Sequence, residues 1–212
     1  MRSTVASFLL AASLPLTTVA ERSGDRQTGP YDEVVTLCDG FERACPRKAR
    51  CTRYARTPEG RPMLAILASA DGVLDPAAAK QRGRPSIVLQ GGIHAGEIDG
   101  KDAGFRVLRD ALEGRVAPRA LDAVTIVFVP IFNVDGHERF GKYNRANQRG
   151  PEEMGWRTTA QNLNLNRDYA KAEAPEMQAM LALLLEWDPV LYVDLHVTDG
   201  AKFRHDVSIT TE

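Results

Sequence analysis

The sequence lacks an excess of charge of either sign, a CxxC cysteine pair, and any internal repeat or low-complexity segment. Its 27 lysine and arginine residues are balanced by 28 aspartate and glutamate residues, so nothing favours binding to nucleic acid or to an anionic membrane. The three cysteines do not have the spacing of a Cys-based zinc site. We therefore predict neither nucleic acid nor a membrane as a partner.

The N-terminus has the features of a secretory signal. Arg2 precedes a mostly apolar stretch over residues 5–16, and Thr18-Val19-Ala20 forms a small-residue cleavage site. The apolar stretch is too short to span a bilayer. We predict a signal peptide at residues 1–20 and a secreted or periplasmic mature chain. The alternative is an apolar N-terminal helix of the fold.

The three cysteines, Cys38, Cys45 and Cys51, lie close together near the predicted mature N-terminus. In an oxidising compartment, one disulfide and one remaining thiol are expected. The sequence leaves open which pair is bonded.

The apolar pattern predicts strands and helices in alternation along the chain. Predicted strands are residues 52–56, 62–69, 85–89, 124–132 and 190–195, and predicted helices are residues 31–44, 97–113 and 175–187. Residues 71–83 read as a loop, and residues 137–161 are polar and without periodicity. This order indicates an α/β fold with a mixed, largely parallel central sheet flanked by helices.

Two histidines and a glutamate follow predicted strands, where α/β proteins often have their active sites. His94-Ala95-Gly96-Glu97 comes after the strand at 85–89, and His196 directly follows the strand at 190–195. His94 and Glu97 are spaced to point at one ion, and two imidazoles with one carboxylate suit a catalytic Zn²⁺. The HxxE pair alone is more typical of a surface pair, and His196 is what completes a three-ligand set.

Other polar residues have more than one interpretation. Asp194 shares a strand face with His196 and is either a structural carboxylate or a group that orients this imidazole. His137 and His205 lie in polar stretches and are expected to be ordinary surface residues. The side-chain amide of Asn166 and the planar guanidinium of Arg167 could together bind a carboxylate. The alternative interpretation is a turn capped by asparagines.

These residues make the chain resemble the zinc carboxypeptidases of the carboxypeptidase A-like metallopeptidase family. Four segments carry the resemblance, and they occur in the family's order over about residues 50 to 200: Thr57-Pro58-Glu59-Gly60-Arg61-Pro62, Gly92-Ile93-His94-Ala95-Gly96-Glu97, Leu165-Asn166-Arg167, and His196 after its strand. The resemblance implies a carboxypeptidase-like fold and a metallocarboxypeptidase that removes C-terminal residues from peptides.

The resemblance also implies roles for individual residues. His94, Glu97 and His196 would hold one Zn²⁺ ion, and Asn166 with Arg167 would receive the free C-terminal carboxylate of a peptide substrate. Trp156-Arg157 is similar to the family segment whose arginine polarises the scissile carbonyl, so Arg157 is the candidate catalytic residue. Arg145 and Arg149 are close rivals. Gly96 stands where many digestive members have an arginine that contacts substrate.

The family's general-base glutamate lies on a later strand, well beyond the third zinc ligand. Only residues 197–212 follow His196 here, so we expect a truncated catalytic domain and assign no residue to the general base. The expected organisation is a signal peptide at 1–20, an N-terminal lead-in and helix at 21–50, and the N-terminal part of a zinc carboxypeptidase catalytic domain, incomplete at its C-terminus, at 51–212.

Two other functions fit parts of the pattern. A zinc amidohydrolase of the aspartoacylase and succinylglutamate desuccinylase type would share residues 91–97 and the Asn166-Arg167 pair, although the predicted signal and the turn at 59–62 weigh against it. A noncatalytic zinc-binding or peptide-binding remnant is the other alternative, and it would leave the short chain inactive.

Overall fold

A computed structural model describes residues 16–198 and 204–211 of the chain. Within these residues, one sheet is formed by β1 (Ala49–Arg56), β2 (Pro62–Ala68), β3 (Ser86–Gly91), β4 (Thr125–Val129) and β5 (Leu191–Leu195). The helices are α1 (Val19–Ser23), α2 (Tyr31–Ala44), α3 (Pro76–Gln81), α4 (Asp99–Leu112), α5 (Ala120–Ala123), α6 (Val134–His137) and α7 (Pro175–Trp187), with a 3-10 helix at Leu165–Arg167.

The sheet has the strand order β1-β2-β4-β3-β5 and is mixed. β1 pairs with β2, and β2 with β4, in antiparallel fashion, whereas β3 is parallel to both β4 and β5. The predicted α/β fold with a mixed central sheet and flanking helices is confirmed, and its parallel pairings are confined to β4, β3 and β5. Because the carboxyl ends of parallel strands meet at one edge of a sheet, the ends of β3 and β5 are brought together.

Aromatic side chains connect the helices to the sheet. The ring of Phe105 in α4 lies 6.2 Å from that of Phe41 in α2 and 5.4 Å from that of Phe128 in β4. All three side chains are buried. Burial of such a side chain stabilises the fold by about 1.5–3 kcal/mol, so this row fixes α2 and α4 to one face of the sheet.

Of the predicted helices, α4 begins two residues later and ends one residue earlier than expected, and the short helices α1, α3, α5 and α6 were not predicted. α2 and α7 have the predicted bounds. α2 has apolar residues at helical spacing, and α7 is delimited by Pro175 in its first turn and by Asp188-Pro189 after its end. Residues 71–83 were expected to be a loop, which is wrong for α3. The Asp75 side chain accepts a hydrogen bond from the Ala78 N–H, and Pro76 stands at the first helical position, a combination that favours a helix start.

Residues 1–15 of the predicted signal peptide lie outside the described residues. From Leu16 onwards the chain packs against α4, with Leu16 and Ala20 buried. Thr18 caps α1, and Arg109 of α4 donates to the Leu16 carbonyl at 3.0 Å and to Glu21 Oε1 at 2.6 Å. In the part of the chain that the structure describes, no helix has the length and apolar character needed to cross a membrane.

A disulfide joins Cys38 of α2 to Cys51 of β1. The Cys45 thiol is not part of a disulfide and is partly buried. The pairing that the sequence left open is therefore decided by geometry, since α2 crosses β1 where these two residues face each other. The bridge fastens the helix to an edge strand of the sheet.

Candidate metal centre

The first two candidate ligands lie on the turn that joins β3 to α4. Gly92 has a φ of 64°, and a Cβ atom at this position would lie 2.8 Å from the Ile131 side chain, so the turn depends on glycine. The Glu97 N–H donates to the His94 carbonyl at 2.8 Å, and this tight turn brings both side chains to one side. His94 and Glu97 are both buried, with His94 Nδ1 at 2.9 Å from Glu97 Oε1.

The third candidate ligand comes from the neighbouring strand. In the β3–β5 pairing Gly91 lies opposite Leu195, so His196 is placed beside the turn that carries the other two. His196 Nδ1 lies 3.1 Å from Glu97 Oε2, and its ring centroid is 5.1 Å from that of His94. Two segments about a hundred residues apart thus meet at the carboxyl end of the sheet.

This trio has the chemistry of a zinc site. One donor atom from each of His94, Glu97 and His196 lies within 4.8 Å of the other two, and this is the single group of its kind among residues 16–198 and 204–211. Zinc takes imidazole nitrogen and carboxylate oxygen at about 2.0–2.2 Å, so donors around one ion must be this close. The three residues therefore fit a Zn²⁺ ion.

Hydrogen bonds shift the pKa values of two members of the trio, Glu97 and His196. Burial by itself raises the pKa of Glu97, but hydrogen bonds from His196, His94 and the Val197 N–H outweigh it and hold that pKa well below the usual range. Hydrogen bonds to Asp194 and Glu97 raise the pKa of His196 to about 10. The Asp194 and Glu97 carboxylates thus stabilise positive charge on the His196 ring.

Asp194 contacts His196 from the side away from Glu97. Its Oδ2 lies 3.1 Å from His196 Nε2, so the imidazole has one nitrogen towards each carboxylate. Of the two interpretations of Asp194, the orienting one has the required geometry. Two residues earlier on β5, the Tyr192 hydroxyl donates to Gln90 Oε1 of β3 and lies 2.6 Å from the Tyr169 hydroxyl.

Of the three loop arginines considered, Arg145 lies at the trio. Its Nη2 atom donates to Glu97 Oε1 at 2.7 Å, and the residue is 8% exposed. Arg149 is exposed on the same loop. The sequence pointed to Arg145 as a rival of Arg157 for the catalytic arginine and not as a partner of Glu97. The absence of a side chain at Gly96 leaves space for Arg145 at this place.

The predicted catalytic residue, Arg157, belongs to a segment whose backbone is well anchored. Asn133 Nδ2 donates to the Arg157 carbonyl at 3.1 Å, and the Trp156 N–H donates to the Gly136 carbonyl at 2.7 Å. Arg157 itself is partly buried. The turn after β4 thus supports this segment, and the role of the Arg157 guanidinium stays a prediction.

The same turn is connected to the β1–β2 hairpin, which the sequence did not suggest. Asp135 is fully buried and accepts hydrogen bonds from the Thr57 hydroxyl at 2.8 Å, the Glu59 N–H at 3.2 Å and Arg61 Nη1 at 2.7 Å. The segment at 57–62, noted above only as part of a resemblance, therefore anchors the turn that supports Arg157.

The predicted substrate-binding residues lie on the 3-10 helix. The Asn164 side chain accepts a hydrogen bond from the Asn166 N–H at 3.2 Å and so caps this helix. Arg167 is exposed, Asn166 is partly buried, and Arg167 Nη1 donates to the Asn166 carbonyl at 2.7 Å. The capped turn exists, and it leaves the guanidinium accessible to solvent. Binding of a carboxylate by this pair stays a prediction.

One histidine was assigned wrongly. His137 was expected at the surface, but it is fully buried at the end of α6, and burial lowers its pKa to about 4. Its Nδ1 lies 3.2 Å from Glu138 Oε1, and its ring packs edge-on against Phe140. The polar sequence around His137 hid this burial. His205 is exposed, as expected.

Comparison with known proteins agrees with this arrangement. The profile of the zinc carboxypeptidase family matches residues 34–203. No curated protein matches the chain. Solved structures with a similar fold include a metallo-carboxypeptidase from Burkholderia cenocepacia (21% identity, TM-score 0.56), carboxypeptidase A from Helicoverpa armigera (16%, 0.56) and bovine thrombin-activatable fibrinolysis inhibitor (14%, 0.62).

These structures align with 79%, 80% and 82% of this chain, respectively. The chain in turn spans 42%, 46% and 62% of their lengths. At these identities the likeness concerns the fold alone.

Proposed function

Because the chain belongs to the zinc carboxypeptidase family, we propose that it is a zinc-dependent metallocarboxypeptidase, or the part of one that holds the metal, acting on peptides with a free C-terminus. The observation that carries this proposal is the convergence of His94, Glu97 and His196 at the ends of β3 and β5. A bound Zn²⁺ ion would supply Lewis-acid polarisation of a carbonyl and activation of water.

In this proposal the protein's own residues bind and orient the substrate. Asn166 and Arg167 receive the C-terminal carboxylate, since an accessible guanidinium beside an amide matches that group. Arg157 stabilises negative charge that develops on the scissile carbonyl oxygen. Fixing the chain end in this way restricts cleavage to the last residue. What supports these roles is the family membership together with the exposure of Arg167 and the anchored backbone of Arg157.

We also propose that the protein is exported, with the signal peptide at 1–20, the lead-in and helix at 21–50, and the catalytic part at 51–212. The Cys38–Cys51 disulfide supports export, because disulfides persist in oxidising compartments. A cut after Ala20 would remove the Thr18 cap and the buried Leu16 side chain. N-terminal sequencing of the protein from its native source shows where the mature chain begins.

The first experiment measures zinc content and peptide hydrolysis together. The purified chain is expected to bind one zinc ion, and a His94→Ala variant is expected to bind none. Hydrolysis is expected for a peptide with a free C-terminus and not for the same peptide with an amidated C-terminus. Equal cleavage of both peptides would refute the proposal, and preferred cleavage of a short N-acyl amino acid would favour the amidohydrolase alternative.

A second experiment tests the carboxylate-binding role. Arg167→Gln is expected to raise KM for the free-acid peptide while zinc stoichiometry stays at one, because the substitution removes the fork and leaves the metal ligands in place. Arg119→Gln changes an exposed arginine in the loop before α5. It is the matched control and is expected to leave KM unchanged. Zinc binding by the parent chain without turnover of any peptide would support the noncatalytic binding role.

A further inference from the structure

The Glu97 carboxylate is held at both of its oxygens by groups other than the two histidines. Oε2 accepts a hydrogen bond from the Val197 N–H at 2.9 Å, and Oε1 accepts one from Arg145 Nη2 at 2.7 Å. The two donors come from different parts of the chain, one from the end of β5 and one from the loop after α6. A carboxylate bonded at both ends cannot rotate freely about its last side-chain torsion angle.

The path of the Arg145 side chain depends on a glycine between two candidate ligands. A Cβ atom at Gly96 would lie 2.6 Å from Arg145 Cγ, 3.2 Å from Arg145 Cδ and 2.7 Å from the Gly155 carbonyl oxygen. The aliphatic part of Arg145 therefore lies directly on the Gly96 backbone, and any larger residue at position 96 would displace it. The burial of Arg145 therefore depends on the absence of a side chain at Gly96.

The loop that carries Arg145 is held in place by the neighbouring residue, Asn144. Asn144 Nδ2 donates to the carbonyls of Arg139 at 2.7 Å and Met154 at 2.8 Å, which ties the two sides of the loop together. Gly141 and Met154 form an isolated antiparallel bridge on the same loop. These bonds hold Arg145 in position at its backbone, so its guanidinium reaches Glu97 from a fixed point.

From this geometry we infer that Arg145 is a positioning residue, which orients the Glu97 carboxylate towards the point where the Nδ1 atoms of His94 and His196 converge. The inference rests on the zinc site proposed above. A carboxylate oxygen has two lone pairs, so Oε1 can accept from Arg145 and still face an ion. Groups that hydrogen-bond to metal ligands in this way usually contribute about 10-fold to 100-fold to metal affinity.

The test measures the zinc dissociation constant of the full chain by competition with a chelator. Arg145→Met keeps most of the aliphatic contact with Gly96 and removes the donor, and it is expected to weaken zinc binding by about 10-fold to 100-fold. Arg145→Lys retains a charged donor without the planar fork, and it is expected to bind zinc more weakly than the parent but more tightly than Arg145→Met. Arg149→Met is the matched control on the same loop, with the affinity of the parent.

The melting temperature of each metal-free variant separates orientation from a general loss of structure. If Arg145→Met does not fold, Arg145→Lys decides the matter by the same order of affinities. An unchanged dissociation constant in a folded Arg145 variant overturns the inference, and so does tighter binding, which would mean that the guanidinium acts mainly by repelling the ion. If the parent binds zinc and the variants bind equally well, only this inference fails. If the parent binds no zinc, the proposed function fails as well.

Discussion

The distance between α4 and the end of β5 sets the geometry of the candidate zinc site. The substitution Gly100→Ala, which adds one methyl group between the two elements, tests this. A Cβ atom at Gly100 would lie 2.5 Å from Leu195 Cβ and 3.1 Å from the Leu195 carbonyl oxygen. Carbon atoms in contact prefer about 3.5–4.0 Å, so Gly100→Ala must move β5 away from the helix by about 1 Å. His196 directly follows Leu195 and moves with it.

This displacement is large for a metal site, because ligand distances are tolerated only within about 0.2 Å. Overpacking of this kind costs about 1–3 kcal/mol, and about 1 kcal/mol of that is offset because alanine is the better helix former. Zinc binding requires the original spacing and must work against the same strain. The gain in helix propensity is the same with and without zinc, so the whole strain of about 1–3 kcal/mol opposes binding. At about 1.4 kcal/mol for each factor of ten, Gly100→Ala is expected to weaken zinc binding by about 5-fold to 140-fold.

Gly104→Ala is the matched control, one turn further along α4. Its Cβ would lie 2.3 Å from the tip of the Phe128 ring, which is buried in the core away from the three ligands. It is expected to lower the melting temperature like Gly100→Ala but to leave the zinc dissociation constant unchanged. Equal zinc affinities for the two variants, measured by chelator competition, would refute the link between α4 packing and ligand geometry.

Three further predictions concern stability. The hydrogen bond from Arg109 lowers the pKa of Glu21 to about 2, so Glu21→Gln should destabilise the protein by about 1–2 kcal/mol at neutral pH. In urea unfolding, the difference in stability between parent and variant should vanish as the pH falls from about 4.5 towards 2. A difference that stays constant with pH would argue against the Glu21–Arg109 ion pair. Reduction of the Cys38–Cys51 disulfide should lower the free energy of unfolding by about 3 kcal/mol, because the bond joins residues 13 positions apart and restricts the unfolded chain. The stability of a Cys38→Ala/Cys51→Ala variant should not change with reductant. His137 is buried and has a pKa of about 4, so it takes up a proton in the unfolded chain at a higher pH than in the folded one. The parent should therefore lose up to about 3 kcal/mol of unfolding free energy between pH 6.5 and 4. Thermal melts of His137→Leu should lack this loss.

Much of the candidate site was predictable because its signals are local. The strand at 85–89, two glycines and the HxxE spacing indicate a turn that brings His94 and Glu97 together, whatever the rest of the chain does. The bounds of α2 follow from apolar residues at helical spacing, which indicate the face that the helix buries. Those of α7 follow from Pro175 at its start and from Asp188-Pro189 after its end. The missed α3 had a local signal too, an aspartate cap before Pro76, but its short length gave little periodicity.

Other features depend on contacts between distant segments, and no local pattern reports those. The burial of His137 results from packing around α6, although its neighbours in sequence are polar. The Cys38–Cys51 pairing requires the crossing of α2 over β1. The bonds of Asp135 to the β1–β2 hairpin join residues more than seventy positions apart.

The sequence by itself determined the residue types of the candidate ligands, the turn that carries two of them and the alternation of strands with helices, since each depends on neighbouring residues and their periodicity. Only the tertiary structure decided that His196 lies beside Glu97, because this requires the parallel register of β3 and β5. It also decided which arginine reaches the carboxylate. Arg145 and Arg149 lie in the same polar segment, and the sequence does not distinguish them. In the structure the Arg145 side chain passes over Gly96, and its guanidinium donates to Glu97.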